Sequence, residues 1–162
     1  MIAVVKDLPP TIRAMHQADI ELVSTIESET YDFPWSDGIF RDCLLAGYTS
    51  VVLDRDGEVC GYGIMSIAAG EAHLLNICVS EELRRQGTGR RLLKYLLARA
   101  KTFGAECVYL EVRPSNEAAL NLYDSMNFEI IGVRRNYYKA LHGTEDAVVL
   151  VHRFDDPQPG TT

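Results

Sequence analysis

The sequence predicts a single α/β domain with a mixed, mostly antiparallel and twisted sheet of about seven strands, flanked by about four helices. The chain has 162 residues, which is enough for one ordinary domain and leaves little room for two. Runs with the two-residue period of strands alternate with runs that have the spacing of amphipathic helices. At the centre, a strand, a helix and a second strand follow one another, which is the order of a parallel crossover.

The first half of the chain is predicted to hold a strand, two helices and three further strands. In chain order these are a strand at Thr11–Met15, helices at Ala18–Glu29 and from Ser36 through Ala46, and strands at Tyr48–Leu53, Val59–Ile67 and Ala72–Val79. Apolar residues between Ile20 and Ile26 have the spacing of one helix face. Ser36 is a favoured N-cap for the second helix, and Gly47 is a favoured stop. The turn at Asp56-Gly57 predicts an antiparallel hairpin.

The second half is predicted to alternate helices and strands. In chain order these are a helix from about Gly89 to Phe103, a strand at Cys107–Val112, a helix from Ser115 to near Met126-Asn127, and strands at Phe128–Tyr138 and Ala147–Phe154. Leucines between Leu92 and Leu97 form the apolar stripe of the first helix, and Gly104 ends it. Ser115 is suited to cap the next helix. We therefore expect one domain over 11–154, an N-terminal extension over 1–10 and a flexible tail over 155–162.

Charge and hydropathy argue against several kinds of function. The 16 basic and 23 acidic residues give a net charge of −7, and a net-acidic chain is a poor general binder of the nucleic-acid backbone. The apolar run Met1–Val5 is too short for a secretory signal, and no run approaches the roughly 20 apolar residues of a membrane span. We therefore expect a cytoplasmic protein that binds neither nucleic acid nor membranes directly.

The cysteines and histidines show no spacing that indicates a metal site. The cysteines form no C-x-x-C pair and are expected to be reduced, mostly buried thiols. They are Cys43, Cys60, Cys78 and Cys107. The histidines have no spacing suggestive of catalysis and are expected at surface or structural positions. They are His16, His73, His142 and His152.

The segment Arg84–Arg91 links a predicted strand to an amphipathic helix and combines glycines with arginines. Gly87 and Gly89 let the backbone approach a ligand, and the free amides at a helix start bind anions such as a diphosphate. A Rossmann fingerprint is excluded because Leu92 stands where its third glycine would be, and the Gly-Lys-Ser/Thr of a Walker loop is absent. From the residues alone, both an anion site and a plain connector remain open.

Several motifs nevertheless point to one family. Arg84-x-x-Gly87-x-Gly89 resembles the Q/R-x-x-G-x-G/A signature of the Gcn5-related N-acetyltransferases (GNAT), which cradle the pyrophosphate of acetyl coenzyme A (acetyl-CoA). The order of strands and helices matches that fold over roughly residues 11–154. Further motifs are similar to the RimI family, bacterial enzymes that acetylate the amino terminus of small-subunit ribosomal protein eighteen. These motifs are Phe33-Pro34-Trp35-Ser36, Asn76-Ile77, Leu110-Glu111-Val112-Arg113, Ser115-Asn116-x-x-Ala119 and Arg134-Arg135-Asn136-Tyr137-Tyr138.

The resemblance implies where acetyl-CoA binds. The strand end Ile77, Cys78 and Val79 corresponds to positions whose backbone pairs with pantetheine, and Asn116 corresponds to a residue that hydrogen-bonds the pantetheine arm or the pyrophosphate end. The implied diphosphate loop comprises Arg85, Gln86, Gly87, Thr88, Gly89 and Arg90. An ordinary buried strand and a simple helix-start residue are the alternative interpretations of 77–79 and 116. Acetyl-CoA is the only cofactor expected, with no metal.

Glu111 is the candidate general base, because acetyl transfer to an amine requires a proton acceptor for the ammonium form. Strand alternation places Val108, Leu110 and Val112 on one face and Glu111 on the other. On its own, this pattern is equally compatible with a salt bridge to Arg113 or a solvated strand face. RimI enzymes carry their base at this glutamate, so the resemblance implies that Glu111 deprotonates the amine directly or through water.

Tyr123 is the candidate general acid, because a phenol with an ordinary pKa of about 10 is suited to protonate a departing thiolate. Alone, an aromatic residue at helical spacing with Ala119 and Leu120 indicates core packing, but the proton-donating tyrosine of the family falls at this position. Apolar or aromatic residues in loops or at a strand end are expected to contact the substrate, with core packing as the alternative. They are Phe33, Trp35, Tyr137 and Tyr138.

The sequence therefore predicts a protein N-terminal acetyltransferase that moves acetyl from acetyl-CoA to the α-amine of an N-terminal alanine in a small-subunit ribosomal protein. Alternatives are a GNAT enzyme acting on lysine side chains or a small amine, and a non-catalytic acyl-CoA-binding module. Residues 84–101 hold seven bases and no acid, whereas the remaining nine bases and 23 acids give −14. This separation suits an anionic donor and a cationic substrate. The oligomeric state is not indicated.

Overall fold

The computed structural model describes residues 8–155, which form seven strands and four α-helices. Their bounds are β1 Thr11–Ala14, α1 Ile20–Thr30, α2 Asp37–Leu45, β2 Thr49–Arg55, β3 Glu58–Ala68, β4 Glu71–Val79, α3 Thr88–Thr102, β5 Cys107–Val112, α4 Glu117–Ser125, β6 Glu129–Ala140 and β7 Gly143–Arg153. The strands form a seven-stranded sheet in the order β1-β2-β3-β4-β5-β7-β6. This confirms the predicted fold class. The predicted N-terminal extension and C-terminal tail fall outside the described residues, except for residues 8–10 and 155.

The chain divides into two compact units. The first contains residues up to Ser66 together with Leu74–Leu97, and the second contains Ile67–His73 together with residues from Ala98 onward. The boundary crosses β4, so the first three residues of that strand belong to the second unit.

The core of the first unit joins apolar residues of α1 and α2 to the strands before and after them. Val23 of α1, Phe40 of α2 and Tyr62 of β3 are completely buried. The rings of Phe40 and Tyr62 meet edge to face with centroids 5.6 Å apart. Ser36 caps α2 as predicted, since its Oγ accepts the Ile39 N–H at 3.3 Å.

A glycine on β3 sets the position of α3 in the same unit. A Cβ atom at Gly63 would lie 2.8 Å from Cδ1 of Leu96, which α3 packs against the strand. Any side chain at Gly63 would therefore displace the Leu96 side chain, through which α3 packs against the strand.

The second unit is built around β5. Its beginning runs parallel to the start of β4, with Glu71 opposite Cys107 and His73 opposite Tyr109, and it is antiparallel to β7. This confirms the predicted parallel crossover through α3. Val108, Leu110 and Val112 are buried. The residues that alternate with them are less buried, so the predicted two faces of the strand are also confirmed.

Helix α4 is capped by Asn116, and the prediction of Ser115 as its cap was wrong. Oδ1 of Asn116 accepts the Ala119 N–H at 3.2 Å. The amide and the hydroxyl of Ser115 instead donate to Glu145 at 3.0 and 3.1 Å. Glu145 lies on β7, which begins earlier than predicted because its turn pairs Ala140 with Gly143. Ser115 therefore does not cap α4, because it is bonded to Glu145 of β7, which is distant in the sequence.

Candidate active site

The segment Arg84–Gly87, termed the arginine loop, is exposed and leads into α3. Arg85 and Gly87 both have a positive φ, of 64° and 78°. This conformation is unfavourable for a residue with a side chain such as Arg85, and local strain of this kind is concentrated at functional sites. The Arg91 N–H donates to the Gly87 carbonyl at 3.0 Å and closes the first turn of the helix. The helix start is therefore fixed by an unusual loop conformation.

The N-terminal end of α3 fits the diphosphate that the sequence predicts. The first amides of a helix have no acceptor within the helix and bind anions. A Cβ atom at Gly87 would meet nothing within 4 Å, so the backbone is open to a ligand there. A cavity of about 320 Å³ lies against Gly87 and Thr88, with Arg55 and Arg91 in its wall, and residues 8–10 line it too. The charge and the backbone of this region thus match the phosphates of acetyl-CoA.

The end of β4 is connected to the arginine loop. Nε of Arg84 donates to the Val79 carbonyl at 3.1 Å, and the Tyr31 hydroxyl donates to the Ile77 carbonyl at 3.3 Å. Cys78 between them is buried. The first unit therefore brings the strand end and the loop together, as the predicted cofactor site requires.

A buried carboxylate in α1, Glu27, connects three other parts of the first unit. It is 2% exposed and accepts the Tyr62 hydroxyl at 2.6 Å and the Asn76 side-chain amide at 2.9 Å through Oε1. Its Oε2 accepts the Trp35 backbone N–H at 2.9 Å. Buried carboxylates need such donors. Glu27 thereby fixes the turn after α1 to β3 and β4.

That turn carries Phe33 and Trp35, which were predicted to contact the substrate. The ring of Trp35 packs 5.3 Å from that of Phe40, so the tryptophan is anchored to the core. Phe33 is 42% exposed. The turn therefore presents one exposed aromatic side chain, Phe33, on a fixed backbone.

In the second unit, Glu111 has a side chain that is only 8% exposed and has partners on both oxygens. Nε2 of His73 lies 2.5 Å from Oε2, and Nε of Arg134 lies 3.5 Å from Oε1. Arg113, which offered an alternative interpretation of Glu111, lies 3.2 Å from Glu145. The candidate base therefore contacts a histidine and an arginine, neither of which was predicted from the sequence as its partner.

The predicted substrate residues Tyr137 and Tyr138 lie in the same neighbourhood. The Arg113 guanidinium is 4.3 Å from the Tyr138 ring centroid, and that of Arg134 is 5.7 Å from the Tyr137 centroid. Burial raises the pKa of Tyr138 to about 12, with smaller contributions that include the charge of Glu111. This unit therefore brings the candidate base and the tyrosine pair together.

Tyr123, the candidate acid, has a buried ring 5.4 Å from that of Phe128. Burial raises the pKa of Tyr123 well above its usual value, and Tyr138 raises it further. A phenol that stays neutral in this interior still carries the proton that a general acid must give.

The thiols are free, as predicted, and Cys43, Cys60 and Cys78 are buried. Burial raises the pKa of Cys60 to about 11. No group of three or more His, Cys, Asp or Glu side chains within residues 8–155 could hold a metal ion. Over the same span, every helix is too short or too polar to cross a membrane.

Two residues of this region were not found from the sequence. Glu27 is one acid among several in an amphipathic helix, and nothing in its spacing distinguishes it. His73 was expected at a surface or structural position, because one histidine in a strand has no motif. The parallel register of β4 and β5, which places His73 opposite Tyr109 and near Glu111, was the only signal for it.

Comparison with known proteins agrees with this geometry. Residues 20–128 match the model of the acetyltransferase (GNAT) family. The chain is 36% identical over 140 residues to the ribosomal protein bS18-alanine N-acetyltransferase of Escherichia coli K12, covering 86% of this chain and 95% of that protein. It is 32% identical to the corresponding protein of Haemophilus influenzae, over the same shares of both chains.

A solved structure is also similar. The crystal structure of the ribosomal-protein-S18-alanine N-acetyltransferase from Escherichia coli matches with a TM-score of 0.85 at 33% identity, over 94% of this chain and 98% of that one. The chain therefore belongs to the acetyltransferase (GNAT) family, as its motifs predicted, and is a RimI-type N-acetyltransferase.

Proposed function

We propose that this enzyme acetylates the α-amine of an N-terminal alanine in ribosomal protein bS18. The main support is similarity at 36% identity over 86% of the chain to a relative with that name. The arrangement of Glu111 beside two tyrosines in the second unit is compatible with an amine substrate. Such a substrate implies action in the cytoplasm, where ribosomes are assembled.

Residues of the first unit would hold the donor. The amides at the start of α3, with Arg85, Gln86, Gly87, Thr88, Gly89 and Arg90, would bind the diphosphate. The backbone of Ile77, Cys78 and Val79 would pair with the pantetheine arm, and Asn116 of the second unit would hydrogen-bond it or the pyrophosphate end. Acetyl-CoA supplies an activated thioester carbonyl. Because the Asn116 side chain already caps α4 through Oδ1, its amide nitrogen is the group available to a ligand.

Two side chains would handle protons in this reaction. Glu111 would act as general base for the substrate ammonium group, directly or through water, since an amine attacks a carbonyl only when its lone pair is free. Tyr123 would protonate the departing thiolate. Its raised pKa keeps the phenol neutral at physiological pH, so it still carries the proton that it must give.

The peptide would be held by aromatic side chains. Phe33 and Trp35 would contribute from the turn fixed by Glu27, and Tyr137 and Tyr138 from β6. The acidic charge outside residues 84–101 favours the cationic amino terminus of a basic protein.

The direct test is thiol release. Purified enzyme is mixed with acetyl-CoA and a peptide that begins with alanine, and peptide fragmentation locates the acetyl group. We expect thiol release and acetylation of the α-amine, and no reaction of the same peptide with a blocked amino terminus. Acetylation of a lysine in the blocked peptide would favour the lysine alternative. Binding of acetyl-CoA without turnover on any amine would favour a non-catalytic module.

A further inference from the structure

Glu111 and His73 face each other on the parallel strands β5 and β4. Nε2 of His73 lies 2.5 Å from Oε2 of Glu111, and two such atoms approach this closely only with a hydrogen between them. The carboxylate side chain is 8% exposed, whereas that of the histidine is 39% exposed. The pair therefore has a buried acidic partner and a solvent-facing imidazole.

The remaining atoms of the pair differ in what they can bind. Oε1 of Glu111 already faces Nε of Arg134 at 3.5 Å. Nδ1 of His73 forms no hydrogen bond with any described residue, and it is not among the buried atoms that lack a partner. With the hydrogen on Nε2 directed at Glu111, Nδ1 carries a lone pair and is open to solvent.

We propose that Glu111 acts through His73: Nδ1 of His73 takes the proton from the substrate ammonium group, while the Glu111 carboxylate holds the Nε2 hydrogen and stabilises the imidazolium. This inference rests on the function proposed above and puts the His73 imidazole, instead of water, between Glu111 and the amine. A buried carboxylate that orients a more exposed imidazole is the arrangement that makes histidine an efficient base in other enzymes.

The proton balance of the step is simple. One N–H bond of the substrate α-ammonium breaks, and its electron pair remains on nitrogen as the nucleophilic lone pair. The proton forms a new N–H bond at Nδ1, which gives an imidazolium next to the ionised Glu111. The imidazolium then loses the Nδ1 proton to water, which restores the neutral imidazole with its hydrogen on Nε2.

The charged and titratable groups around this pair come from two neighbouring strands and from its own. Tyr109 lies opposite His73 in the β4–β5 register. Arg134 and Tyr138 approach Glu111 from β6, and Arg113 on β5 is paired with Glu145 of β7.

The test compares His73→Gln, His73→Ala and Glu111→Gln, with His16→Gln as a matched control at an exposed histidine. A glutamine side chain can still donate an N–H to Glu111 but cannot take up a proton. We therefore expect His73→Gln to lower kcat at least about 100-fold with little change in the KM for acetyl-CoA. We also expect added imidazole to restore part of the activity of His73→Ala.

The outcomes separate this inference from the function on which it rests. Normal rates in His73→Gln together with an inactive Glu111→Gln would overturn the role of His73 and leave Glu111 as the base. Normal rates in Glu111→Gln would overturn both the role of His73 and the role of Glu111 as general base. If His73→Gln does not fold, the imidazole response of His73→Ala decides. A response supports the inference, and a folded but unresponsive variant overturns it.

Discussion

Tyr62 donates its hydroxyl hydrogen to Glu27 at 2.6 Å, and this bond joins β3 to α1 in the interior of the first unit. Tyr62 is completely buried, and this burial, with the neighbouring Cys78 and Glu27, raises the pKa of its phenol far above the usual value. The phenol therefore remains a hydrogen-bond donor at neutral pH. Through the same carboxylate, the bond is coupled to the backbone of Trp35, in the turn proposed to bind the peptide.

Replacing Glu27 should therefore affect stability and peptide binding together. Glu27→Ala leaves the Tyr62 hydroxyl and the Asn76 amide without their acceptor, and we expect a loss of about 3 kcal/mol in the free energy of unfolding, measured by urea titration. Glu27→Gln keeps one acceptor and should lose less. In the folded variants, the KM for the peptide should rise more than that for acetyl-CoA. Glu29→Gln, at an exposed position of the same helix, is the control for Glu27→Gln. Equal losses in the free energy of unfolding of these two variants would show that the buried contacts of Glu27 do not stabilise the fold.

Replacement of the candidate base should affect chemistry and not binding of the donor. We expect Glu111→Gln to lower kcat at least about 100-fold at neutral pH, while the Kd for acetyl-CoA measured by calorimetry stays close to that of the wild type. Glu117→Gln, in the exposed first turn of α4, should behave as wild type. A Glu111→Gln enzyme with normal turnover would remove Glu111 from the mechanism.

Tyr123→Phe tests the proton donor with a small structural change. The phenylalanine keeps the packing against Phe128 but has no proton to give. We expect kcat to fall at least about 10-fold, with a melting temperature near that of the wild type. The matched control is Tyr48→Phe at an exposed tyrosine. Unchanged turnover in Tyr123→Phe would mean that water protonates the thiolate.

The conformation of the arginine loop can be tested at Gly87. The test variant is Gly87→Ala. The φ of 78° at this position is less favourable for alanine than for glycine by about 1 kcal/mol, although a Cβ atom would have room. If the loop changes conformation to avoid this strain, the Kd for acetyl-CoA should rise about 5-fold or more. Gly132→Ala, where the backbone has no positive φ and the space is also open, should leave the Kd unchanged. Equal Kd values for acetyl-CoA in Gly87→Ala and Gly132→Ala would show that binding does not require the left-handed conformation at Gly87.

The fold was largely predictable because each element has a local signal. Ser36 caps α2 through a bond to a residue three positions later, and the Asp56-Gly57 turn joins its two strands. These signals act within a few residues and are therefore visible in the sequence. The cap of α4 was misassigned because Glu145, far away in the chain, binds Ser115.

The candidate site was predictable only where it has motifs. Gly87 and Glu111 lie in short patterns typical of the family, and the structure places them at a helix start and in a strand as expected. Glu27 and His73 act through contacts 35 and 38 residues away in the chain. Such partners are set by strand register and helix packing, which hydrophobic periodicity does not specify.

Buried tyrosines should make the protein sensitive to alkaline pH. The pKa values of Tyr62 and Tyr123 are raised by burial, and that of Tyr138 is raised to about 12. A group whose pKa is raised in the folded state contributes stability that is complete below its unfolded pKa of about 10 and is lost as pH rises toward the folded value. We expect the free energy of unfolding to fall above about pH 10, by roughly 1.4 kcal/mol per pH unit for each such tyrosine. In urea titrations between neutral pH and pH 11, Tyr123→Phe should reduce this slope by one tyrosine's share. A slope in Tyr123→Phe equal to that of the wild type would mean that the buried phenol of Tyr123 does not resist ionisation in the folded protein.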